Sequence, residues 1–183
     1  MRRLFSILPL IFLVLAAPLA AQKQVRDPLT PAQAEEIAKA GIDPNERVHL
    51  YTKYLEEHAG AIKALGKRAD TPARNKLMAS DLEDLANLMD ELGSNLDVYS
   101  DRKADIRKSL KPLNEAIQHW QTMLNGLPSE SAFDLARTDA LDSSNDLADQ
   151  ARQMMQDQEK YFAEHKEQKG QEWHVPTAPA KHQ

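Results

Sequence analysis

The chain has 183 residues, a net charge of −5 at pH 7 and no cysteine. The lack of cysteine excludes disulfides, a thiol nucleophile, c-type haem attachment and cysteine-bound zinc, and the acidic balance disfavours nucleic acid as a partner. Glycine occurs six times, and Ala, Leu, Glu, Asp, Lys and Gln dominate, so the composition predicts an all-α protein.

The first 21 residues have the pattern of a cleavable export signal. Arg2 and Arg3 precede an apolar run that ends at Leu15 and is too short to span a bilayer, and small residues follow it. We therefore expect a protein of the periplasm or the extracellular medium, without stable membrane insertion after cleavage. Loss of residues 1–21 removes two bases and no acid, so the net charge changes from −5 to −7. Residues 22–29 are expected to be a flexible N-terminal segment.

A capping residue followed by proline starts each of the first three predicted helices, at Thr30–Pro31, Asp43–Pro44 and Thr71–Pro72. The first helix is expected over residues 30–40, because Gly41 follows it. The second is expected over residues 44–68, where apolar residues recur at steps of three and four.

The string LTPAQ, Leu29 to Gln33, opens the first of these helices. It resembles the Leu-Thr-x-x-Gln motif of small periplasmic helical chaperones and stress sensors. Those proteins carry the motif twice, whereas this chain carries it once. The resemblance implies a chaperone-like binding role in the periplasm and assigns no site residue.

A seven-residue apolar repeat runs from Leu85 to Leu124 without a change of phase. The unbroken phase favours one long helix over 72–125, in an elongated antiparallel bundle that resembles a coiled coil. The alternative is a break near 94–100 or at Pro112. A break near 94–100 would instead give a compact up-down four-helix bundle.

Gly126 and Pro128 end that region, and Ser129 is predicted to cap a last helix over residues 130–166. Residues 169–183 have no hydrophobic period and are expected to be a disordered tail.

The charges of the last two long segments are opposite in sign. Residues 129–167 carry ten acids and four bases, whereas residues 101–126 carry three acids and five bases. A tight turn joins the two segments, so we expect them to pack antiparallel, within a single helical domain over residues 30–168.

Two pairs of carboxylate and histidine occur at helical spacing, Glu46 with His49 and Glu115 with His119. A di-iron helical site needs two Glu-x-x-His pairs and further carboxylates that point into a bundle. Both pairs are predicted to point away from the apolar stripes of their helices. They are candidates for metal binding, with surface ion pairing as the simpler interpretation.

His58 differs from these histidines because it falls on the apolar stripe of the second helix. With a methionine such as Met89 or Met154 opposite, it would be placed to ligate a b-type haem in a bundle. The alternative is a boundary histidine with a satisfied hydrogen bond. His58 is thus the candidate cofactor-binding residue of the sequence.

Four aspartates follow one face of the last predicted helix, at Asp139, Asp142, Asp146 and Asp149. They are predicted to lie opposite the apolar seam and to face outward. The spacing does not match a calcium loop, which requires a glycine and a closing glutamate at fixed positions. Adjacent like charges slightly disfavour the helix, so the stripe is either solvated surface or an interaction face.

These patterns favour an exported, non-catalytic interaction, scaffold or chaperone-like protein. Long amphipathic helices offer extended surfaces, and small residues in the last seam would admit another helix, so a protein partner or a homodimer is expected. The sequence has no Gly-x-Ser-x-Gly, no His-Glu-x-x-His and no phosphate-binding glycine loop, which argues against an enzyme. The alternatives are a haem- or metal-binding bundle and a hydrolase with an unrecognised carboxylate site.

Overall fold

The structure is a computed structural model that describes residues 26–169. Within this range it contains a short 3-10 turn, no β-strand and five α-helices, α1 Pro31–Lys39, α2 Pro44–Gly66, α3 Pro72–Asp101, α4 Arg107–Asn125 and α5 Asp134–Glu164. The predicted all-α helical bundle is confirmed. The predicted export signal and most of the predicted tail lie outside the described residues. None of the helices over residues 26–169 is long and apolar enough to cross a membrane.

The three predicted cap-and-proline starts are confirmed. The Thr30 hydroxyl accepts from the Gln33 amide while the Gln33 side chain accepts from the Thr30 amide, which completes a capping box. The Asp43 carboxylate accepts from two amides of the first turn of α2, and the Thr71 hydroxyl accepts from the Arg74 amide at the start of α3. Each cap satisfies amides that the helix itself leaves unpaired.

The prediction of one helix over 72–125 is wrong, because the chain turns at residues 102–106. Lys103 adopts a positive φ of 54°. The Lys103 amide donates to Ser100 O at 3.1 Å and the Ala104 amide to Tyr99 O at 3.0 Å. These two bonds form a Schellman motif, which ends α3 and redirects the chain. The alternative of a break near 94–100 places the interruption too early, because α3 continues to Asp101, and the alternative at Pro112 is wrong because Pro112 lies inside α4.

The turn is fixed by a buried glutamine of α5. Gln158 accepts from the Ile106 amide at 3.0 Å and donates to Ala104 O at 2.8 Å. The hydrogen bonds at both polar ends of the side chain offset the cost of burying it.

The four long helices pack as a bundle in which α2 and α5 each contact both α3 and α4. The consecutive helices α3 and α4 do not pack against each other in the described chain, so they lie on a diagonal of the bundle. The Ser109 hydroxyl donates to Asn45, and Gly66 lies beside Leu127. Both ends of α2 are thus next to the matching ends of α4, and these two helices run parallel.

The apolar residues of the seven-residue repeat are buried on both sides of the turn, and Lys103, which falls at a repeat position within the turn, is exposed. Burial of each large apolar side chain contributes on the order of 1.5–3 kcal/mol, so this shared core holds the bundle together. The opposite charges of α4 and α5 accompany direct packing of these helices, as expected.

The start of the last helix differs from the prediction. Ser129 does not cap it, and α5 begins at Asp134 after a turn with Phe133 at the cap position. The reason is tertiary: Glu130 pairs with Arg74 at 2.7 Å, and the Phe133 ring is buried beneath the Arg74 guanidinium. These contacts hold residues 130–133 against α3 instead of in a helix.

The short helix α1 is tied to α2 by polar contacts. The Tyr54 hydroxyl donates to Glu36, and the Gln33 side chain donates to Glu57 at 2.9 Å. Burial, together with the Glu36 carboxylate, raises the pKa of Tyr54 to about 12, so the hydroxyl stays protonated as the donor. Docking of α1 also positions the preceding residues, from Arg26 onward, over α2 and α3.

Candidate functional site

A histidine and two aspartates meet between α2 and α3. His58 lies in the second half of α2, and Asp81 and Asp84 lie one turn apart on α3. One ring nitrogen of His58 and one carboxylate oxygen of each aspartate lie within 4.8 Å of one another. Over residues 26–169 no other three such side chains come as close. One imidazole and two carboxylates suit first-row divalent cations.

The N-terminal segment covers His58. Its Nε2 lies 3.1 Å from Pro28 O. A carbonyl oxygen only accepts, so Nε2 carries the proton of this hydrogen bond. In the neutral ring, Nδ1 then keeps the lone pair.

Asp84 is a buried carboxylate, only 2 % exposed. Its Oδ2 receives no hydrogen bond from any described residue. The Arg26 Nη2 atom lies 3.0 Å from Oδ2, as an ion pair without hydrogen-bond geometry, and Arg26 Nη1 donates to Ser80 Oγ at 2.9 Å. Because the Arg26 side chain is 65 % exposed, a largely solvated group compensates a buried charge.

Burial raises the pKa of both aspartates above the usual range. For Asp84 the Arg26 guanidinium and His58 oppose the rise, while Asp81 and Glu83 add to it. For Asp81 the opposing charges are His58 and then Arg26. The two carboxylates are therefore held in a place that disfavours their charge and favours a nearby cation.

An acidic groove of about 680 Å³ adjoins this cluster, between α3 and the start of α5. Arg26 and Asp84 belong to its lining, and His58 and Asp81 do not. Its carboxylates are Glu83, Asp84, Asp90 and Asp139, and its apolar members include Phe133, Leu135 and several alanines. We call this surface the acidic groove.

The paired candidates predicted from the sequence stay apart from this site. Glu46, His49, Glu115 and His119 are exposed, and none joins a group of three ligating side chains in the described chain. Their predicted outward orientation is confirmed. Met89 and Met154, considered as haem ligands opposite His58, are buried in the core, whereas His58 faces carboxylates.

The four aspartates of α5 are all exposed, as predicted. Asp139 lines the acidic groove, while the described contacts pair Asp149 with Arg152 on its own helix. The stripe is thus divided: Asp139 borders the groove, and Asp142, Asp146 and Asp149 lie outside it.

Sequence reasoning identified His58 but missed Arg26, Asp81 and Asp84. Each aspartate directly precedes a core leucine, Leu82 or Leu85, and this flanking position was the available signal. The contact of Arg26 with Asp84 depends on how the N-terminal segment packs on the helices, and the local sequence pattern does not predict that packing.

No protein-family model matches this chain, and no curated protein or solved structure is significantly similar to it. The LTPAQ string that resembles the periplasmic chaperone motif forms the capping box of α1. The geometry of the site is therefore the basis for its chemistry.

Proposed function

We propose that this protein is a non-catalytic binding module of the cell envelope that holds a basic segment of a partner protein in the acidic groove. The envelope location rests on the export signal predicted over residues 1–21. The bundle supplies a rigid frame, so the groove needs little reorganisation to bind.

The observation that supports this role is the position of Arg26. Its guanidinium pairs with the Asp84 carboxylate and donates to the Ser80 hydroxyl, at the edge of the groove. This is the recognition that an arginine of a partner would receive, since guanidinium binds carboxylates and hydroxyl oxygens through a planar set of donors. Arg26 is mostly exposed, so a partner can displace it or bind beside it.

The groove combines charge with apolar surface. Leu135 is 76 % exposed at its edge, and Asp90 and Asp139 are exposed within it. The volume of about 680 Å³ lies within the range of roughly 300–1,000 Å³ of ligand pockets. A short segment with one basic side chain and apolar neighbours fits these properties best.

Site-specific photocrosslinking in the native cells tests the proposal. A photoreactive residue in place of Leu135 should give a discrete adduct with one partner protein, whereas the same residue in place of Gln118, exposed on α4, should not. Equal adducts at both positions would contradict a role for the groove. An adduct of two copies of this chain would assign the groove to the expected homodimer.

Charge reversal provides the matched control. Asp90→Lys and Asp139→Lys should each reduce the Leu135 adduct, because they place a repelling charge in the groove. Asp146→Lys lies on the same helix outside the groove and should leave the adduct unchanged.

A further inference from the structure

We propose that His58, Asp81 and Asp84 form a binding site for a first-row divalent cation such as zinc(II). The site is distinct from the acidic groove in two of its three ligands. Asp84 is common to both, so the ion and an arginine of a partner would exclude each other there, while ion binding does not require the partner.

The geometry of the three donors suits a single ion. Zinc binds imidazole nitrogen and carboxylate oxygen at about 2.0–2.2 Å, so donors around one ion lie roughly 3–4 Å apart. The donor atoms of His58, Asp81 and Asp84 lie within 4.8 Å of one another.

The ligands are already oriented by the fold. The hydrogen bond from His58 Nε2 to Pro28 O is the outer contact that metal-binding histidines usually make, since it fixes the tautomer. Ligation through Nδ1 keeps this bond. The two aspartates come from one helix and the histidine from its antiparallel neighbour, so the ion would join α2 to α3.

An independent observation comes from Asp84. Its carboxylate is buried, and Oδ2 accepts no hydrogen bond from a described residue. Such an oxygen normally costs stability, and a cation at this position would supply the missing interaction. Arg26, the ion-pair partner of Asp84, is largely exposed and held by one further bond, so an incoming ion can take its place.

The donor set also selects among ions. Calcium prefers six to eight oxygen ligands and magnesium keeps most of its water, so neither gains much from an imidazole. Zinc, cobalt and nickel accept nitrogen and oxygen together, and in most such sites zinc binds more tightly than cobalt. Water would complete the coordination in a site with three protein ligands.

Calorimetric titration of the purified protein with zinc chloride tests the proposal. We expect one ion per chain at this site, and an affinity at least about tenfold lower in His58→Ala, Asp81→Asn and Asp84→Asn. His49→Ala is the matched control, because His49 is exposed on the same helix and belongs to no cluster in the described chain. Each variant keeps the other histidines of the chain.

Cobalt(II) gives a second measurement. A visible absorption band of bound cobalt should appear with the native protein and with His49→Ala, and should be lost in His58→Ala. Circular dichroism identifies any variant that does not fold, and Asp81→Asn keeps the test valid if Asp84→Asn fails. Zinc affinity unchanged in both His58→Ala and Asp81→Asn, or reduced as much by His49→Ala, would overturn the proposal.

Discussion

Asp84 shows how a single residue can relate stability to binding. The fold buries this carboxylate on α3, gives Oδ2 no hydrogen bond in the described chain, and provides the exposed Arg26 as its counter-ion. Replacement by a hydrophobic residue would be the usual solution for such a position. A buried, poorly compensated charge is the pattern found at sites that bind ligands.

The stability of Asp84→Asn follows from the raised pKa of this group. Burial raises the pKa of Asp84 despite the opposing Arg26 and His58 charges, so the folded protein holds the proton more tightly than the unfolded chain. At a pH above the pKa of Asp84 in the folded protein, the ionised carboxylate therefore lowers the free energy of unfolding. As the pH falls through that pKa the carboxylate is protonated, and this loss of stability disappears. In the presence of a chelator, Asp84→Asn should raise the Tm at pH 7 by a few degrees, because it removes a buried charge that the exposed Arg26 compensates only in part.

Thermal denaturation at two pH values checks this expectation. The gain should shrink between pH 7 and about pH 4, near the ordinary pKa of an aspartate. Asp146→Asn, exposed on α5, serves as the control and should change the Tm little at either pH. A variant less stable than the native protein at both pH values would show that the Arg26 pair outweighs the burial of Asp84.

Residue patterns revealed part of the site and not the rest. His58 stood out because a histidine interrupts the apolar stripe of its own helix. Asp81 and Asp84 looked like members of a charged face, since their burial depends on how α2, α3 and the N-terminal segment come together. A local sequence pattern contains no information about contacts between elements that are far apart in the sequence.

At the level of elements, the caps of the first three helices were predictable, whereas the cap of the last helix and the turn at residues 102–106 were not. Thr30, Asp43 and Thr71 act through amides two or three residues away, so local sequence suffices. The turn uses Lys103 where a glycine is usual, and the apolar residues before and after it point into the same core. The seven-residue spacing of apolar residues therefore continues through the turn, although the helix does not.

Gly93 lies within α3 and does not end the helix, although glycine is a poor helix former. The Gln150 side chain approaches it closely and donates to Gly93 O at 2.9 Å. A Cβ at this position would lie 2.9 Å from the Gln150 side-chain oxygen. The glycine thus leaves room for the Gln150 side chain inside a continuous helix.

The left-handed conformation of Lys103 yields a prediction about the turn. Lys103→Gly should stabilise the protein by about 1 kcal/mol, because a residue with a Cβ is strained at a φ of 54°. Lys103→Ala is the control, since it removes the same side chain and keeps the Cβ, so it should not stabilise. Urea denaturation measures both, and equal stability of the two variants would show that the turn is not strained.

In the whole molecule α2 runs parallel to α4, because the turn at residues 102–106 reverses the chain after α3. The Ser109 hydroxyl donates to the Asn45 side chain, so Asn45→Cys with Ser109→Cys should form a disulfide on mild oxidation, in a chain that has no other cysteine. Asn45→Cys with Glu115→Cys should not. If residues 72–125 formed one helix, position 109 would lie about 12 Å beyond residue 101 and the first pair would stay reduced.

The proposed function depends on where charged side chains lie on the surface of the bundle. Acidic side chains surround one concave surface, and the guanidinium of Arg26 already occupies its edge. The more distant aspartates of α5, Asp146 and Asp149, lie outside this groove. A partner should therefore distinguish the groove from the rest of the acidic surface.

Titration of the isotope-labelled protein with a short peptide, in which one arginine stands between two leucines, tests this claim most directly. Nuclear magnetic resonance should show shifts of the backbone amides of Ser80, Asp90 and Asp139, with little change at Asp146 or Asp149. The same peptide with citrulline, a neutral residue of nearly the same shape, should cause no comparable shifts. Equal shifts with both peptides, or arginine-dependent shifts spread evenly over all exposed acids, would contradict the acidic groove as the binding site.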